Sequence, residues 1–133
     1  MKAPKSVLFV CFANINRSTT AEWVFKRELE KRGYKEGSGG LENEIKVNSA
    51  GTYADMEVNS TQLTIELGDE YERIFTFSRN LRYEIIHKFN QAPKKVTNMD
   101  IPDVYHCGEP ALIEICRKKL QPYMNRWYHS MKQ

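Results

Sequence analysis

The run Cys11-Phe12-Ala13-Asn14-Ile15-Asn16-Arg17-Ser18 sets a cysteine and an arginine with five residues between them. A loop of that length can curl until successive backbone N–H groups point inward and form a nest for an anion, closed by the positive end of a following helix. Arg17 would add a planar fork of donors suited to two oxygens of a tetrahedral oxyanion, a geometry that lysine does not offer. At the floor of such a cup, the amides, the helix dipole and the guanidinium all favour the Cys11 thiolate over the thiol. A thiolate beneath a bound phosphate is a nucleophile aimed at phosphorus. The hydroxyl of Ser18 could donate to that thiolate or cap the helix amides, and the two roles are compatible. The plainer alternative is a buried core cysteine at a strand end with a solvent-facing helix arginine.

Those residues work only if a strand delivers Cys11 and a helix starts at Ser18. Residues 5–10, Lys-Ser-Val-Leu-Phe-Val, form a continuous apolar run suited to a strand buried on both faces of a parallel sheet. From Ser18 the spacing turns helical, with Ala21, Val24, Phe25 and Leu29 on one face and Gly33 as the stop. The glycine-rich residues 35–40 read as a loop. Residues 44–50, 73–78 and 95–99 read as further strands. Helices are expected at 61–67, at 81–89 and from Pro110, the last ended or kinked by Pro122. Strands alternating with helices predict an α/β fold: a three-layer open sheet of about four parallel strands, helices on both faces and the Cys-x5-Arg loop between the first strand and helix. In such sheets ligands bind at the carboxyl ends of strands, which is where Cys11 falls.

A chain of 133 residues suits one domain, residues 1–133. Its 20 Lys and Arg against 17 Asp and Glu leave a net charge of +3, too small to imply nucleic-acid binding. No apolar run is long enough to span a bilayer, and residues 1–11 lack the features of a secretory signal, so a soluble cytoplasmic protein without a membrane partner is expected. Cys11, Cys107 and Cys116 make an odd set without Cys-x-x-Cys or a histidine pair. That pattern predicts neither a disulfide framework nor a metal site, and no cofactor is called for. Cys116, on an apolar helix face with Leu112 and Leu120, reads as a core thiol. His87 and His106 are isolated and receive no role.

The stretch Val10-Cys11-Phe12-Ala13-Asn14-Ile15-Asn16-Arg17-Ser18-Thr19-Thr20-Ala21-Glu22 resembles the signature of the low-molecular-weight protein tyrosine phosphatases, Val-Cys-x-Gly-Asn-x-Cys-Arg-Ser-Pro-x-Ala-Glu. Ser49-Ala50-Gly51-Thr52 is similar to that family's second-strand motif, and Ile101-Pro102-Asp103-Val104-Tyr105 to its late Asp-Pro-Tyr segment, most like a short phosphatase-like branch. The resemblance implies a phosphomonoesterase, acting on a phosphorylated protein or small phosphomonoester. Phosphate or sulfate would sit in a loop formed by Phe12, Ala13, Asn14, Ile15, Asn16, Arg17 and Ser18. It implies catalysis by Cys11 and Arg17 with Asp103 as general acid and base, Asp100 being the competitor three residues away and a turn aspartate the plainer reading of either. Tyr53 and Tyr105 are candidates for aromatic walls of the substrate site, or ordinary half-buried tyrosines. Ala13 stands where the family has glycine, Asn16 where it has a second cysteine that can shield the nucleophile as a disulfide, and Thr19 where it has proline. A thiol-dependent arsenate reductase, drawing on Cys107 and Cys116, and a non-catalytic phospho-ligand binding module are the alternatives.

Overall fold

The computed structural model describes residues 3–12, 17–54, 60–102 and 109–129. In chain order the elements are β1 (Ser6–Cys11), α1 (Arg17–Lys31), β2 (Lys35–Glu36), β3 (Glu44–Gly51), α2 (Ile65–Asp69), β4 (Arg73–Thr76), α3 (Arg79–His87), β5 (Val96–Asn98) and α4 (Glu109–Trp127). The strands form one sheet in the order β2-β3-β1-β4-β5, with every pair parallel. β1 is flanked by β3 on one side and β4 on the other, so the winding reverses at β1 and its carboxyl end is the topological switch point.

The continuous apolar run of β1 is explained by two cores. Val7, Phe9 and Cys11 face α1 and α4, joining Val24, Phe25, Leu112, Cys116 and Leu120. Leu8 and Val10 face the opposite layer, with Leu63, Ile74, Ile85 and Val96. Phe9 packs edge-on to Phe25 at 5.4 Å and stacked on Phe75 at 5.3 Å, which fixes α1 against the centre of the sheet. The apolar face of α1 is the one its spacing predicted, and its end is a Schellman turn. Gly33 takes φ +89°, its N–H donates to the Glu30 carbonyl, and the Tyr34 N–H reaches back to Leu29 at 3.0 Å.

Several expectations need correction. The sheet has five strands rather than about four, because Lys35–Glu36, read as loop, pairs with Glu44 and Ile45 as an edge strand. Two exposed polar residues carry no apolar alternation, so only backbone pairing defines that strand. Pro122 does not end α4, which runs on to Trp127. Pro122 and Lys118, whose carbonyl gets no bond from the proline, are both exposed, and buried Met124 and Trp127 hold the last turn. The short helix begins at Ile65, capped by Thr64, because residues 61–63 instead bond to Gly51 as an extension of the sheet. α3, by contrast, starts earlier than expected, at Arg79, because Ser78 accepts the Leu81 N–H as its cap.

α1 and α4 are also tied by a polar cluster. Glu28 is buried and accepts from Arg32 at 2.8 Å, Lys31 at 3.1 Å and Gln121 at 3.0 Å, while Arg32 also reaches Asn125 at 2.7 Å. Burial pushes the Glu28 carboxyl up, but the donors from Arg32, Lys31 and Gln121 outweigh it and hold the group below its ordinary value. A depressed carboxyl stabilises the fold above its unfolded value and loses that contribution as pH falls through the folded one. Glu28→Gln should therefore cost about 1–3 kcal/mol at neutral pH, and the gap to wild type should shrink in urea titrations as the pH is lowered below the carboxylate range. An unchanged gap would mean that the charge of Glu28 is not what links the helices.

Candidate active site

Burial of β1 and its pairing with β3 fix where Cys11 lies. Cys11 is the last residue of β1, in register with Gly51, and is 4% exposed. Beyond the strands the pairing continues: Thr52 N–H donates to Cys11 O at 3.0 Å and Tyr53 N–H to Phe12 O at 2.8 Å. These bonds set Tyr53 beside Phe12, and the two rings stack at 5.7 Å with 8° between their planes, both strongly exposed. Phe12 and Tyr53 thus form an exposed aromatic pair beside the strand end that carries Cys11.

Ser18, in the first turn of α1, is fully buried with its Oγ 2.9 Å from Cys11 Sγ. Arg17 opens the helix. Its Nη1 donates to the Ile101 carbonyl at 3.2 Å, and its guanidinium carbon lies 5.7 Å from the centre of the Phe77 ring. Ile101 is itself held, its N–H donating to Phe77 O at 3.1 Å. The arginine is therefore fixed between the start of α1 and the chain leaving β4 and β5, with a ring beneath it. A side chain pinned in this way presents its fork with less entropy left to lose. This is not the free solvent-facing arginine of the plainer reading. Ser49 Oγ also donates to Glu22 Oε1 at 2.6 Å, tying the end of β3 to the first turns of α1.

Asp100 takes φ +54° and its N–H is bound by Asn98 Oδ1 at 2.8 Å. An aspartate in left-handed backbone beside an asparagine turn is accounted for by the turn itself. Ala13, Asn14, Ile15 and Asn16 of the loop, and Asp103, Tyr105, His106 and Cys107, lie outside the described residues. Among the described residues no group of three or more His, Cys, Asp or Glu could hold a metal ion, and no helix is long and apolar enough to cross a membrane.

Sequence reasoning missed one feature. A hollow of about 230 Å³ opens beside Arg17, lined by Phe12, Arg17, Ser78, Asn80, Leu81 and Glu84. Its far wall belongs to α3, more than sixty residues downstream of the loop. Only the sheet order, which puts β4 next to β1, brings that wall to the site.

A family model described as low molecular weight phosphotyrosine protein phosphatase matches residues 6–72, half of the chain. No curated protein sequence matches it significantly. Among solved structures it is similar to the tyrosine phosphatase Wzb from Escherichia coli in complex with phosphate, at 20% identity and TM-score 0.70, covering 92% of this chain and 98% of that one. It is also similar to the Erwinia amylovora tyrosine phosphatase amsI, at 20% identity and TM-score 0.71, covering 93% of each chain. A mutant of YwlE from Bacillus subtilis matches at 21% identity and TM-score 0.66, covering 90% of this chain and 98% of that one. At such identities these likenesses bear on the fold.

Cys116 is completely buried, and burial pushes its thiol up to about 12. Near pH 8 it is therefore protonated and shielded, so iodoacetamide should spare it in the native protein and label it only in denaturant, as read by peptide mass spectrometry. Rapid native labelling of Cys116 would contradict its assignment as an inert core thiol.

Proposed function

Because the chain belongs to the low-molecular-weight phosphotyrosine protein phosphatase family, we propose that it hydrolyses phosphomonoesters, phosphotyrosine foremost, through a cysteinyl-phosphate on Cys11. The observation that carries this reading is the 2.9 Å approach of buried Ser18 Oγ to Cys11 Sγ at the switch point of the sheet, with Arg17 opening the adjoining helix. A hydroxyl donating to sulfur stabilises the thiolate and leaves a lone pair free for attack.

In the first step the Cys11 thiolate attacks phosphorus, the bond from phosphorus to the leaving oxygen breaks, and the carboxylic acid of Asp103 gives its proton to that oxygen. In the second, the Asp103 carboxylate takes a proton from water as the water attacks phosphorus. The S–P bond then breaks, releasing inorganic phosphate and restoring the thiolate. Arg17, Ser18 and the backbone amides of Phe12, Ala13, Asn14, Ile15 and Asn16 bind the phosphoryl oxygens, and their preorganised charge supplies most of the rate. Asp103 rather than Asp100 is the acid, a choice supported by the turn that already accounts for Asp100. Phe12, Tyr53 and Tyr105 flank the aryl group. Phosphate, sulphate and benzylphosphonate complexes of similar folds support oxyanion binding at the loop. A YwlE arginine phosphatase mutant with a phosphorylated active-site serine supports the covalent route.

The partners in this reading are phosphorylated proteins or small phosphomonoesters in the cytoplasm. An arsenate reductase would need a second reactive thiol, and the burial of Cys116 argues against that residue. A pure binding module would retain ligand affinity without the sulfur. In steady-state assays with para-nitrophenyl phosphate, Cys11→Ser should abolish turnover, and Arg17→Lys should lower kcat/KM by about 10²–10³. Asp103→Ala should slow esters of poor leaving groups more than those of good ones. If Asp100→Ala shows that leaving-group dependence instead, the acid is misassigned. Turnover that survives Cys11→Ser would sink the reading.

A further inference from the structure

The hollow beside Arg17 has a composition that the phosphate chemistry does not use. Exposed Phe12 and buried Leu81 supply its apolar lining, with Asn80 and Ser78 as polar lining. Glu84 is the only acidic side chain among its described lining residues. Its carboxylate is about one-third exposed and has one nearby cation, Lys88 Nζ at 3.5 Å, whose own side chain is 74% exposed. Such an exposed i,i+4 pair is weak and readily exchanged for another cation.

Charge decides what the hollow takes. With a phosphomonoester dianion seated on Arg17 above the Cys11 thiolate, the guanidinium is more than neutralised. The space beside it is then left with the negative charge of Glu84. An acidic side chain there would face the phosphate, the sulfur and Glu84 together. A long basic side chain fits instead, its methylene stem lying along Phe12 and Leu81 and its charged end reaching the Glu84 carboxylate.

We infer that this hollow is a subsite for a lysine or arginine flanking the phosphorylated residue of a protein substrate, with Glu84 as the residue that selects it. The inference rests on the phosphatase reading and adds a substrate preference to it. Ser78 is already committed as the cap of α3, so selection falls to Glu84, with Asn80 free to bond the peptide backbone. The element that holds Glu84 is firmly placed: Leu81 and Ile85 anchor α3 on the sheet, and Arg82 donates to Val96 O at 2.9 Å and Pro93 O at 3.0 Å.

The test uses the purified chain and phosphotyrosine peptides that differ only in carrying lysine or glutamate immediately before or after the phosphotyrosine. Wild type should show a kcat/KM ratio of about three to five in favour of lysine on at least one side, the size of a partly exposed ion pair, and high salt should reduce it. Glu84→Gln should bring the ratio towards one, and Glu84→Lys should invert it. Both peptides are read on the same variant, so any general loss of activity cancels in the ratio. A ratio near one in wild type, a preference for glutamate, or a lysine preference that survives Glu84→Lys overturns the subsite alone. Failure of wild type to hydrolyse para-nitrophenyl phosphate or either peptide overturns the phosphatase reading beneath it.

Discussion

A sulfur and a hydroxyl meet at 2.9 Å because neither the strand that carries one nor the helix that carries the other can shift. Cys11 ends a strand whose Val7, Leu8, Phe9 and Val10 are fully buried between two layers, so moving it means opening both cores. Ser18 lies in the first turn of a helix clamped to the sheet by Ala21, Phe25 and Leu29. Everything proposed for the site follows from that fixed separation. In the proposed reaction that hydroxyl steadies the sulfur, and Arg17, the residue before Ser18, supplies the guanidinium.

Stability and chemistry are housed at different ends of the same elements. The Glu28 cluster sits in the later turns of α1 and fastens them to α4, while Cys11 and Ser18 meet at the first turn. At the opening end of β1, Tyr128 Oη donates to Pro4 O, and Tyr128 also packs edge-on to Phe25 and Tyr34. The buried Tyr128 phenol and Glu28 carboxylate, with Arg32, therefore hold α1, α4 and the start of β1 together away from the site. The exposed aromatic surface, by contrast, lies at the carboxyl end, where Phe12 and Tyr53 stack in solvent.

How much of this was legible in the sequence depended on whether the cause is local. The placement of Cys11, Arg17 and Ser18 could be read directly, since their spacing sets them after a strand and at the start of a helix. β1, β3 and β4 were legible because their apolar runs are imposed by burial. β2 was not, being two polar residues defined only by the carbonyls and amides of β3. The continuation of α4 through Pro122 was hidden for a related reason. The rule that proline ends helices presumes a freed carbonyl without solvent, and here the residues at that turn are exposed. Glu84 carries no signal of its own, and reaches the site through the neighbouring of β1 and β4.

The account stands on Cys11 carrying the phosphoryl group between substrate and water. Rapid acid quench during turnover of an aryl phosphate, followed by mass spectrometry of the peptides, measures this directly. The expected result is one phosphoryl group on the peptide that contains Cys11, appearing together with the first equivalent of released phenol. Steady turnover with no phosphoryl group on any peptide, or with the group on another residue, would contradict it.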